Sequence, residues 1–143
     1  MDNGRLASAW WTLKIAVGLV PCLMGIDKFL NVMTNWTEVP AVLGALPVPP
    51  ELLLGAIGVF EILVGIAILT RWTKLGGYVA TVWLAVAAGL LIAIGRFDVA
   101  VADLALAAVA FTLARLTPAR AKAERLVAER AQFSEAGILK LGL

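Results

Sequence analysis

Leu75 to Ile94 reads LGGYVATVWLAVAAGLLIAI, twenty residues without a charge. A hydrocarbon core about 30 Å thick is crossed by a helix of about 20 apolar residues. Inside it every backbone polar group must be paired within the protein. This stretch therefore predicts a transmembrane helix, and it sets the reading of its neighbours. Leu52 to Thr70 is a second such run, interrupted by Glu61. Val99 to Leu116 is a third, carrying Asp103 and Arg115. Trp10 to Leu30 comes first in the chain, with an uncharged core from Ile15 to Ile26 between Lys14 and Asp27. Residues 71–74 and 95–98 connect the last three runs, and links so short force antiparallel neighbours. The expected fold is all-α, an integral membrane four-helix bundle with spans near 10–30, 52–70, 75–94 and 99–116.

Composition supports this. Of 143 residues, 62% are hydrophobic and 15% charged, with a mean hydropathy of +0.94. Soluble domains run at about 45–50% apolar and about 25% charged. Disorder, a nucleic-acid-binding domain and a disulfide-stapled secreted module are excluded on these figures. The first run could be mistaken for a signal peptide. No small-residue cleavage site follows it, and it ends in Asp27-Lys28-Phe29, so it reads as an uncleaved span. Pro21 inside it removes one backbone donor, predicts a kink and leaves the Val17 carbonyl without its partner.

The chemistry the chain lacks narrows its function. It has no histidine and one cysteine, Cys22. A histidine base or haem ligand, a CxxC redox pair and a zinc cluster are all out of reach. No dinucleotide, P-loop, nucleophile-elbow or zinc-protease motif occurs. No covalent cofactor and no metal are expected, and catalysis by the isolated chain is not.

The connector 31–51 holds Pro40, Pro47, Pro49 and Pro50, and residues 39–50 are uncharged. It is too short to span, so an interfacial segment is expected. Asn35-Trp36-Thr37 matches a glycosylation sequon, a triplet common by chance. The tail 117–143 opens with Thr117-Pro118, a helix-start signal in which threonine caps and proline takes the first turn. Its mixed charges predict a polar helix on the membrane surface or against a partner, and the plainer reading is a solvated charged tail that anchors orientation.

Orientation follows from counting. Arg5, Lys14, Arg71, Lys74, Arg115, Arg120, Lys122, Arg125, Arg130 and Lys140 fall on one side, and Lys28 and Arg96 on the other. Cytoplasmic segments carry the excess of Lys and Arg. Both termini are therefore expected in the cytoplasm, with Trp10, Trp11 and Trp72 at that interface and Trp36 at the opposite one.

Ionisable residues within spans are costly and are either functional or paired. The candidates are Glu61, Lys28, Asp103 and Asp27. Glu61 shares a helix face with Gly58 and Gly65, Lys28 with Gly18, Pro21 and Gly25, and Asp103 with Ala107, Ala110 and Ala114. Small residues mark helix–helix contacts in membranes. These charges should point inward, with Gly18, Gly25, Gly58 and Gly65 as packing sites. From the helical rise, Glu61 lies about 15 Å below the start of its run, and Lys28 would have to reach about 12 Å to touch it. An outer cluster of Asp27, Lys28 and Asp103 is expected, with Glu61 deeper, protonated or hydrogen-bonded. Thr81, Trp83 or the Val17 carbonyl would be its partners. The plainer alternative is that these charges only fix helix register and orientation.

A helix ending Gly25-Ile26-Asp27-Lys28-Phe29-Leu30 resembles the DoxX-like family of small four-helix bacterial membrane proteins. So do the proline-bearing connector and the helix Ile57-Gly58-Val59-Phe60-Glu61-Ile62-Leu63-Val64-Gly65, closing with Thr70-Arg71. The similarity covers about residues 10–116. The family includes the DoxD-type subunit of thiosulfate:quinone oxidoreductases and membrane partners of redox or stress-defence proteins. The resemblance implies that Lys28 and Glu61 are the positions to watch. The expected function is a non-catalytic accessory or anchoring subunit of a membrane redox complex in the bacterial inner membrane. Its expected partners are other subunits and membrane lipids, with bound lipid and no nucleic acid. Two alternatives stand beside it. One is a quinone-linked membrane subunit with Glu61 near the headgroup. The other is an oligomeric pathway for small solutes or ions.

Overall fold

The computed structural model describes residues 3–33, 47–93 and 95–140. They form four helices: α1 (Asn3–Leu30), α2 (Pro50–Leu69), α3 (Thr73–Ala93) and α4 (Phe97–Lys140). Each is long and apolar enough to cross a membrane. The sequon at Asn35, Trp36 and most of the expected interfacial connector lie outside the described residues.

Local chemistry explains the helix ends. Pro49 and Pro50 open α2, where a fixed φ and a missing N–H cost nothing, and Glu51 faces the helix dipole in the first turn. At the end of α1, Asn31 takes a left-handed φ of 51° and its N–H bonds Asp27 O at 2.8 Å. Asparagine is one of the few residues that tolerates this cap. Gly95 does the same between α3 and α4, at φ 78°. There Gly95 N–H bonds Ile92 O (3.0 Å) and Arg96 N–H bonds Leu91 O (2.8 Å), the paired closure of a Schellman motif.

The helices run alternately up and down. One end of the bundle carries the N-terminus, the turn at residues 70–72 and the departing tail, and is called here the terminal end. The other carries Leu30, Pro50, Ala93 and Phe97, and is the loop end. α1 packs chiefly on α2, and α3 chiefly on α4. Glycine sets the first contact. A Cβ on Gly25 would lie 2.5 Å from the carbonyl oxygen of Gly58, and one on Gly58 2.9 Å from that of Gly25. A Cβ on Gly18 would meet Leu69 at 2.6 Å, and one on Gly65 would overlap the Cys22 sulfur. In the second pair Gly77 faces Ala110 and Ala114. The two pairs join through Gly76 against Ile68, and through the Trp10 indole, which donates to Thr117 Oγ1 at 3.0 Å. Ile68, Leu113 and Val17 are fully buried in the shared core. Large apolar side chains stand outside it on every helix, including Leu23, Leu63, Val82 and Val101, each more than half exposed. This is the pattern expected where lipid, rather than water, covers the surface.

The tail differs from expectation. Thr117-Pro118 does not start a new helix, because α4 continues through Pro118 without a break. The Thr117 hydroxyl donates back to Leu113 O at 2.8 Å and accepts the Trp10 N–H. A threonine held from both sides within the helix is not available to cap another one. Proline removes one donor here without ending the helix.

Candidate intramembrane polar site

Lys28 and Glu61 form an ion pair, with Nζ 2.6 Å from Oε2. Their side chains are only 5% and 12% exposed. The indole of Trp83 on α3 donates to the other carboxylate oxygen, Oε1, at 3.4 Å. Phe60 packs edge-on against the same indole, with ring centroids 4.9 Å apart. Lys28 Nζ also lies 3.5 Å from Met24 O. Three helices thus converge on one carboxylate.

This pairing differs from the outer cluster expected from depth alone, and the geometry gives the reason. Gly25 and Gly58 face each other, so they set the relative height of α1 and α2. Lys28 stands three residues to the loop side of that level and Glu61 three to the terminal side, about 9 Å apart along the axis. Helical side chains lean toward the N-terminus of their own helix. In antiparallel helices the two leans converge, and long side chains close the gap.

Asp27 is held elsewhere. It is buried, and its Oδ1 accepts the backbone N–H groups of Val32 (3.0 Å) and Met33 (2.7 Å), capping the chain as it leaves α1. Asp103 is half-buried on α4, within the electrostatic field of both Glu61 and Lys28. Of the partners expected for Glu61, Trp83 makes the contact. Thr81 instead donates to Gly77 O at 2.8 Å, with Ala107 O 3.4 Å away. Gly18, Gly25, Gly58 and Gly65 all lie in the α1–α2 contact.

A buried charge needs a close partner and further hydrogen bonds to offset its desolvation. Lys28 and Glu61 supply the first to each other, and Trp83 adds the second. The arrangement brings together an ammonium from α1, a carboxylate from α2 and an indole N–H from α3. Those groups can hold helix register, or bind a polar headgroup. Among the described residues no group of three potential metal ligands comes together.

A second polar centre at the terminal end was not foreseen. Lys14, read from sequence only as a flanking charge, is buried at 6% exposure and donates to Thr70 O at 2.8 Å. A cation on the last carbonyls of a helix is favoured by the helix dipole. Its Nζ stands 4.9 Å from the Trp10 ring and 5.0 Å from that of Trp11, while the Arg120 guanidinium covers Trp10 at 4.2 Å. The signal was present in the spacing, since Trp10 and Trp11 precede Lys14 by one helical turn. No protein-family model, curated protein or solved structure matches this chain.

Proposed function

We propose that this chain is an accessory or anchoring subunit of a larger membrane redox or respiratory assembly, of DoxX-like type. We place it in a bacterial inner membrane with both termini cytoplasmic. The observation that carries this reading is the length of α4. Its 44 residues make a rod about 66 Å long, roughly twice what a bilayer core requires. Beyond Arg120 it leaves the bundle, and Leu126, Val127 and Phe133 stand 48%, 49% and 79% exposed. A rigid helix rooted in a four-span anchor and carrying exposed apolar side chains suits a docking arm. The crowding of cations at the terminal end supports the orientation.

The test is purification of the full chain in mild detergent, beside a version ending at Arg125. The full chain is expected to bring down a defined set of membrane redox subunits, and the shortened chain to lose them while keeping its fold. A full chain that runs alone and monodisperse under the same conditions argues against the proposal.

A second reading is favoured by the Lys28–Glu61–Trp83 group, whose carboxylate is met by two donors. In it a quinone headgroup lies beside Glu61. A bound quinol would supply two electrons to the partner subunit and two protons, one of which the Glu61 carboxylate would take and the other the bulk water at the interface. Solvent extraction should then recover quinone from the wild type and not from Glu61→Gln. Quinone-free wild-type preparations with intact structure count against it.

A further inference from the structure

Arg71, Trp72, Lys74, Leu75 and Tyr78 line an open groove of about 540 Å³ at the terminal end. Neither the ion-pair site nor the docking arm uses it. Arg71, Lys74, Leu75 and Tyr78 share one face of the start of α3 and the turn before it, by their spacing. Beside the groove, its lining residue Tyr78 meets Phe111 of α4, edge to face at 6.0 Å. One turn toward the terminal end on each helix brings Lys74 level with Arg115. The Arg115 guanidinium lies 5.8 Å from the Phe111 ring, and that of Arg71 5.9 Å from the Trp72 ring. Among the described residues, Arg71, Lys74 and Arg115 take part in no ion pair.

Two guanidiniums thus stand over aromatic rings, with Lys74 between them in sequence and lining the groove, where the apolar surface of the span begins. Toward the bilayer the wall continues through exposed Leu75 and Val82 on α3. Charge at the rim and hydrocarbon-compatible surface below it match one chemistry in both parts. We propose that this groove binds an anionic phospholipid. Its phosphate is held by Arg71, Lys74 and Arg115, and an acyl chain runs down past Tyr78 and Phe111. Arginine grips phosphate oxygens through paired donors, lysine as a point charge. A soluble phosphate would leave the apolar half unused, and a zwitterionic lipid would leave the cations unbalanced. The site does not depend on the accessory-subunit reading, so either can fail alone.

Native mass spectrometry of the full chain in a neutral detergent tests it, with titrations of phosphatidylglycerol, phosphatidylcholine and inorganic phosphate. Phosphatidylglycerol is expected to bind at least tenfold more tightly than phosphatidylcholine. The triple variant R71Q/K74Q/R115Q should bring it down to the phosphatidylcholine level, with its thermal unfolding unchanged. R71K/R115K, which keeps the charge, should retain most of the preference. K122Q/R125Q/R130Q, which removes as much charge from the tail, should leave binding as it was. Equal binding of the two lipids, or equal losses in the two glutamine triples, overturns the proposal. So does displacement of phosphatidylglycerol by millimolar inorganic phosphate, which would make this a soluble-phosphate site.

Discussion

Lys28 and Glu61 are buried and paired, and each offsets much of the other's desolvation. Removing one partner leaves a buried charge uncompensated, at a cost of about 3–5 kcal/mol. Replacing both with apolar residues of similar volume is often neutral or better. Lys28→Met and Glu61→Leu alone should each lower stability in a detergent unfolding titration by that amount, and the double variant should recover most of the loss. If the double variant loses the sum of the two, the residues are not coupled. The pair was half legible in the sequence. Helical spacing put both side chains on glycine-bearing faces. Their meeting was hidden, because it depends on the relative height of α1 and α2 and on the convergent lean of their side chains. Lys14 was hidden for a related reason. A lysine near the end of a span reads as an orientation signal, and nothing local shows that the carbonyl of Thr70, the C-cap of α2, will be there to receive it.

At the scale of elements, the α1–α2 contact rests on backbone approaching backbone. A Cβ at Gly25 meets the Gly58 carbonyl oxygen at 2.5 Å, and a peptide oxygen cannot swing aside as a side chain can. Gly25→Val should therefore force the helices apart and cost about 1–3 kcal/mol, in the range of overpacked cores. Gly89→Val is the control, since a Cβ there meets nothing within 4 Å. Thermal unfolding in detergent distinguishes them, and equal effects would contradict the packing described. Four apolar helices were legible because apolar length is a one-dimensional property; α2 and α3 begin and end within two residues of the apolar runs, while α1 starts at Asn3 rather than Trp10 and α4 runs on past Leu116. The glycine stripe on α1 and α2 was legible as well, through its spacing. Gly76 and Gly77 were passed over. They lie at the start of α3 beside the turn, where glycine also serves as a loop residue, and only the packing against Ile68 and Ala110 separates the two roles. The continuity of α4 was misjudged because Thr117-Pro118 is a start signal taken alone. In the folded chain Trp10 engages that threonine from a helix more than a hundred positions away.

The whole molecule is a bundle of four helices, each long and apolar enough to cross a membrane, with unequal ends. Ten of its twelve Lys and Arg residues belong to the terminal end and the tail. If that asymmetry sets the orientation, Arg5→Cys and Arg130→Cys, each in a Cys22→Ala background, should be labelled from the cytoplasmic side by an impermeant thiol reagent. Arg96→Cys should be labelled from the other side. Labelling of all three from one face would contradict the four-span topology. Function was the least legible level, because the chain carries no catalytic motif and its distinctive feature is a shape. The helix that crosses the bundle last goes on for about as far again outside it.

That shape makes the accessory-subunit reading testable in intact membranes. A photo-crosslinking residue placed at Val127, and another at Phe133, would be irradiated in the native membrane beside a control at lipid-facing Leu63. The accessory-subunit reading predicts one discrete adduct from both tail positions, identified by mass spectrometry as a subunit of a membrane redox complex, and none from Leu63. No adduct from either tail position, or the same diffuse products from all three, would contradict it.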